Sequence, residues 1–164
     1  MKKFVICCCV MCLSFPVFAI QGNGVLCTKD NPESNAPEIS KYSAFWFVSD
    51  NTFQWFKPDP LDVNSNGDKF EFVEVMPSKH SHFSAGEDKI NLRMRSIADL
   101  SIIPGVVLSL NRYNLELEHW VDAEVVATYK CTLQRDRDQL LQQLKNISDD
   151  FRAKHETKLQ RSKI

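Results

Sequence analysis

Residues 42–57 read YSAFWFVSDNTFQWFK, two aromatic-rich runs, 42–48 and 52–57, on either side of Ser49-Asp50-Asn51. Aromatic runs interrupted by Ser, Asp and Asn are a hairpin signature. Side chains alternate along a strand. Phe45 and Phe47 therefore face one way and Trp46 the other, while Phe53 and Trp55 face one way and Phe56 the other. Both faces of this hairpin are apolar, which calls for cover on both sides or leaves an exposed patch.

The end of the chain offers one cover. Residues 134–164, QRDRDQLLQQLKNISDDFRAKHETKLQRSKI, contain no Gly and no Pro. Leu140, Leu141, Leu144, Ile147 and Phe151 recur at helical spacing on one face. The spacing predicts an amphipathic helix through about Lys154. A basic tail follows, with Arg152, Lys154, Lys158, Arg161 and Lys163 set against Glu156.

Other segments alternate as half-buried strands do: KFEFVEV at 69–75, DKINLRMR at 88–95, VVLSL at 106–110, LELEH at 115–119 and EVVATYKCTL at 124–133. The polar segment 28–40, with two prolines, reads as a loop or arm. Six or seven short strands with turn signals between neighbours predict a mainly β fold. It is an antiparallel meander closed into a small barrel or folded as a sandwich, with a C-terminal α-helix.

The chain opens with Met1-Lys2-Lys3, an apolar run from Phe4 to Phe15, and small residues at Val17 and Ala19. This is the pattern of a secretory signal peptide at 1–19, cleaved after Ala19. Cys7, Cys8, Cys9 and Cys12 leave with it, so Cys27 and Cys131 remain and are expected to form one disulfide. The expected organisation is thus a signal at 1–19, a disulfide-linked β domain at 20–133 and the helix with its basic tail at 134–164. Losing Lys2 and Lys3 leaves 18 basic against 21 acidic side chains, a net charge near −3. That balance favours neither nucleic acid nor a membrane surface, and no membrane span is expected after signal cleavage.

Residues 62–74, DVNSNGDKFEFVE, place Asp62, Asn64, Asn66 and Gly67 as a calcium-binding loop would open. The bidentate Glu of such a loop belongs at its twelfth position, which here is Val73. A strand-flanked calcium loop using Asp59, Asp62, Asn64, Asn66 and Asp68 is the weaker reading. The favoured one is a long hairpin loop, since Asn, Asp and Gly are also turn formers. His80 and His82 have a spacing that suits zinc or copper in an extended segment. His119 or Glu118 could be a third ligand, but the surrounding Pro, Ser and Gly favour a solvated loop. No cofactor is expected.

Catalytic motifs are missing from the sequence: there is no G-x-S-x-G elbow, phosphate loop or H-E-x-x-H. Asp149-Asp150 reads as a solvated helix face.

The stretch LSLNRYNLELEHW…ATYKCTL contains Leu110-Asn111-Arg112, Leu115, Leu117, Tyr129 and Cys131. It resembles the closing part of small uncharacterised exported proteins of Gram-negative bacteria, which read L-N-R-x-T-L-x-L followed by Y-x-C. Asn114 stands where Thr is usual. The resemblance covers about a quarter of the chain after residue 19. It implies a disulfide-linked β fold in the envelope and carries no activity.

These readings together predict a periplasmic or secreted, non-enzymatic binding or accessory module whose partner is an envelope or extracellular protein or ligand. Trp46, Trp55, Phe56 and Trp120 are its candidate contact residues if the helix does not cover them. An alternative is a lysozyme- or protease-inhibitor-like barrel that plugs a cleft with residues 58–68 or 77–88. The third reading is a metal-dependent enzyme or calcium-binding domain.

Overall fold

A computed structural model describes residues 20–31, 38–59, 70–76, 81–94, 102 and 104–161. Among the described residues, nine strands lie in one antiparallel sheet. They are β1 Gly24–Lys29, β2 Tyr42–Phe47, β3 Phe53–Pro58, β4 Phe72–Met76, β5 Ser81–Ala85, β6 Lys89–Met94, β7 Val106–Asn111, β8 Glu116–Val121 and β9 Glu124–Gln134. Helix α1, Arg137–Arg161, follows β9, and a short 3-10 turn, Glu38–Lys41, precedes β2.

The spatial order β4-β3-β2-β1-β9-β8-β7-β6-β5 resolves into two meanders, β2 to β4 and β5 to β9. Strand β1 joins them, pairing with β2 on one side and β9 on the other. Cys27 and Cys131 face each other across β1 and β9 and are disulfide-bonded, 104 residues apart in sequence. The sheet curls into a half-barrel until β5 meets the start of β3. There Thr52 and His82 form a bridge, and the Phe83 amide donates to the Asn51 carbonyl at 2.9 Å.

The strands' alternation sorts their side chains between two cores. Val25, Phe45, Phe47 and Phe53 meet Phe83, Ile90, Leu92, Leu108 and Leu117 inside the curl. Trp46, Ala44 and Phe56 point outward and are covered by Leu140 and Leu144 of α1. The aromatic hairpin is therefore buried on both faces, the outer one by the helix. Gly24, opposite Trp46 in the β1–β2 pair, makes room for the indole, because a Cβ there would stand 2.6 Å from Trp46 Cε3.

Asp136 starts α1, its Oδ1 accepting from the amides of Asp138 at 2.8 Å and Gln139 at 3.3 Å. This is an N-cap, satisfying donors that the first turn leaves without partners. Further contacts hold the helix along its length: Arg137 Nε donates to Gln54 Oε1 at 3.2 Å, and the Phe151 ring meets Tyr42 at 6.3 Å.

Several expectations are corrected. The sandwich alternative falls, because every described strand belongs to one sheet. Two strands were not anticipated: β1, whose partners lie far away in sequence, and β5, which replaces the loop expected around His82. The strand expected at 69–75 is Phe72–Met76, β9 runs on through Gln134, and α1 continues past Lys154 to Arg161. The signal segment 1–19 lies outside the described residues.

The β8–β9 turn has Asp122 at φ 48° and Ala123 at φ 68°, while the Asp122 amide donates to the Gly105 carbonyl at 3.0 Å. Alanine is poorly suited to this left-handed region. Ala123→Gly is therefore expected to stabilise the fold by roughly 0.5–1 kcal/mol in chemical denaturation. Leu144, 2% exposed beneath the aromatic hairpin, tests the helix cover. Leu144→Ala should cost about 2–4 kcal/mol in the same assay, and a loss near zero would mean that α1 is not a structural cover.

Candidate anion-binding site

The four aromatic residues put forward as a contact surface do not form one. Trp46 and Phe56 are buried beneath α1, so they offer no free surface while the helix is docked. Trp55 faces the interior, stacked on Phe45 at 5.6 Å, with its indole Nε1 donating to Ser43 Oγ at 2.6 Å. Trp120 stands on the outer face of β8 with Nε1 bonded to Glu118 Oε2 at 3.2 Å. It lines a shallow groove of about 480 Å³ with Val107, Lys89 and Ala123.

The histidine constellation is not assembled either. Ser81 and Phe83 are buried inside, so His82 points outward, pairing with Arg93 across β5 and β6. His119 follows Leu117 on the inner face of β8, and Glu118 faces out and binds Lys89 at 3.3 Å. Among the described residues no three His, Cys, Asp or Glu side chains are grouped to hold a metal ion. His80, Asp62, Asn64, Asn66 and Asp68 lie outside the described residues, and Asp59 is bound through its amide to the Glu71 carbonyl at 2.8 Å. Of the two proposed inhibitory loops, 58–68 lies outside the described residues from Pro60 onward, and Ser81–Ala85 within 77–88 is a strand.

What the inner face does bring together is two lysines and a histidine. Strand parity decides it: Val25, Cys27 and Lys29 on β1, Phe53, Trp55 and Lys57 on β3, and Leu117 and His119 on β8 each run along one side. Tyr129 on β9 stands directly opposite Lys29. The Lys57 ammonium lies 4.5 Å from the Trp55 ring centroid, a cation–π contact on the inner face. A groove of about 280 Å³ lies beside Lys29, lined also by Asn31, Val125, Val126, Ala127 and Thr128; of the cluster only Lys29 lines it.

The electrostatics follow from this crowding. Burial, reinforced by the Lys29 charge, lowers the Lys57 pKa. Burial first, then the charges of Lys57 and Lys29, lower that of His119. Burial also raises the Tyr129 pKa, keeping the phenol protonated. The neighbouring charges that shift Lys57 and His119 are thus all positive, and the site is a half-buried cluster of donors. Lys29 and Lys57 are inconspicuous in the sequence because a lysine at a strand end reads as a solvated flank. Their parity with Cys27 and Trp55 was the available signal.

The residues behind the exported-protein resemblance have structural roles. Asn111 Oδ1 accepts from the amides of Tyr113 and Asn114, while Arg112 Nη1 donates to the Gly86 carbonyl at 2.8 Å, fastening the β7–β8 turn to the β5–β6 turn. Asn114 Oδ1 then accepts from the Glu116 amide at 3.0 Å where Leu115 takes φ 55°. A curled antiparallel half-barrel with a helix on its outer face and cations on its inner face is the class that fold and site define. No protein-family model, curated protein or solved structure matches the chain.

The lowered pKa of His119 makes stability depend on pH. As pH falls, the unfolded chain, with an ordinary histidine pKa near 6.5, binds the proton before the folded protein does. The contribution of neutral His119 is complete above that value and is lost as pH drops through the lower folded value. Melts across this acid window should show His119→Gln less sensitive to pH than the parent protein; an unchanged slope would show that His119 does not govern it.

Proposed function

We propose that the protein is an exported, non-enzymatic binding module that accepts an anionic ligand at the inner end of its half-barrel. The observation that carries the reading is the convergence of Lys29, Lys57 and His119 on one face of the sheet, from three strands. Burial of Lys57 disfavours its charge, and an anion beside the ammonium offsets that cost. The sequence motifs for acyl or phosphoryl transfer that would suggest chemistry are lacking. An envelope or extracellular setting is supported by the signal-like residues 1–19 and by the Cys27–Cys131 disulfide, which suits an oxidising compartment. No helix among the described residues is long and apolar enough to cross a membrane.

Sulfate is a suitable probe. Added in the millimolar range at constant ionic strength, it should raise the melting midpoint by mass action on the folded state. Lys57→Met keeps an apolar chain against Trp55 and removes the charge, so it should lose most of that rise. An equal rise in the variant would reflect general exclusion of sulfate from the protein surface and would overturn the reading.

A further inference from the structure

We infer that the outer face of β6, β7 and β8 carries a second binding site, a groove at Trp120 that takes an uncharged saccharide with one sugar ring stacked on the indole. The groove shares no residue with the inner-face grouping of Lys29, Lys57 and His119, and the inference is independent of the function proposed above.

Strand parity builds the groove. Leu108 and Leu110 enter the inner core, so Val107 and Ser109 point outward from β7, with Lys89 and Asn91 beside them on β6 and Trp120 opposite Val107 on β8. Together with Ala123 these residues line a groove of about 480 Å³, a size at which small-ligand sites are found. Helix α1 packs chiefly against β1, β4, β9 and the 3-10 turn, and none of its residues lines the groove. The indole is fixed by its edge: Nε1 donates to Glu118 Oε2 at 3.2 Å, and the same oxygen accepts from Lys89 Nζ at 3.3 Å. The lysine and glutamate charges balance each other, so the groove favours a ligand without net charge.

The polar groups form one rung. Asn91, Ser109 and Glu118 stand in register across the three strands. Ser109 is 6% exposed, yet among the described residues neither its hydroxyl nor the Asn91 amide has a hydrogen-bond partner. A nearly buried polar group left without a partner is costly, and a ligand hydroxyl supplies one. The amide, the hydroxyl and Glu118 Oε1 offer both donors and acceptors.

A sugar ring with equatorial substituents matches this arrangement on both counts. Its face is a set of C–H bonds, whose hydrogens suit the negative face of an aromatic ring, and Val107, Ala123 and the Lys89 stem extend that apolar floor. Its edge is a row of hydroxyls that reaches the polar rung. A wholly apolar ligand would leave Asn91 and Ser109 unpaired, and a charged one would compete with the Lys89–Glu118 pair.

Nuclear magnetic resonance of the oxidised, 15N-labelled protein tests this through its three indole N–H signals, one for each tryptophan. Trp46, beneath α1, and Trp55, in the interior, are internal references. Titration with chitotetraose or cellotetraose, both β-linked with equatorial substituents, should move the Trp120 signal saturably with at least one of them and leave the other two in place. By calorimetry Trp120→Ala should weaken that sugar roughly 3- to 10-fold, the scale of one aromatic contact. Asn91→Ala should weaken it by a similar factor, as one lost hydrogen bond does, and it removes no core packing should the tryptophan variant fail to fold. A Trp120 signal that neither sugar moves in the millimolar range overturns the inference, as does unchanged affinity in the variants. A signal that moves with protein concentration alone makes a second copy of the chain the occupant and overturns the ligand class. Sulfate should leave the Trp120 signal unmoved, so the two sites are read separately.

Discussion

The pairing of β1 with β9, clamped by Cys27–Cys131, is the interaction on which the rest of the structure depends. Among the described residues, without β1 the two meanders share no hydrogen-bonded boundary except the short bridge at Thr52 and His82. With it they become one sheet, and the curl of that sheet closes the inner core. A cross-link over a loop of this length is worth roughly 4–5 kcal/mol in the chain-entropy picture, an upper-end figure. That exceeds the contribution of any one buried Leu or Phe, at about 1.5–3 kcal/mol.

The aromatic hairpin shows how one sequence pattern serves two cores. Its odd-numbered aromatics enter the curl, and its even-numbered ones meet α1. Close approach on the outer side depends on Gly24, since any larger residue would collide with Trp46. The inner side then ends in Trp55 and Lys57, where the packed aromatic stack gives way to cations. Site and core are thus consecutive stretches of one strand face, and the packing of Phe45 on Trp55 positions Lys57.

Strong alternation and helical periodicity made most of this architecture legible in the sequence. The hairpin, β6, β7, β8, β9 and α1 each carry an apolar face of the right period, and Cys27 and Cys131 are the pair that remains once the four cysteines within residues 1–19 are set aside. Strand β1 was hidden because GVLCTK shows no clear polar–apolar alternation and its partners, Ser43 and Cys131 among them, lie well downstream. Strand β5 was hidden because SHFSA has few β formers and is held in place by the packing of Ser81 and Phe83. The conspicuous residues, the tryptophans and the histidine pair, are ones that the fold uses or separates. The grouping of Lys29, Lys57 and His119 exists only after three strands distant in sequence are brought together, so no local window contains it.

The order of the strands also has a consequence in time. Strand β1 is synthesised before all the others, yet one of its two neighbours, β9, is the last strand of the sheet. Contacts so remote in sequence form slowly, because the chain between them must first be ordered. Hairpins such as β2–β3 and β8–β9 can assemble from adjacent residues as they emerge, whereas Cys27 must wait for Cys131. The strand made first is among the last to be secured, and until then its neighbours present open edges to the surroundings.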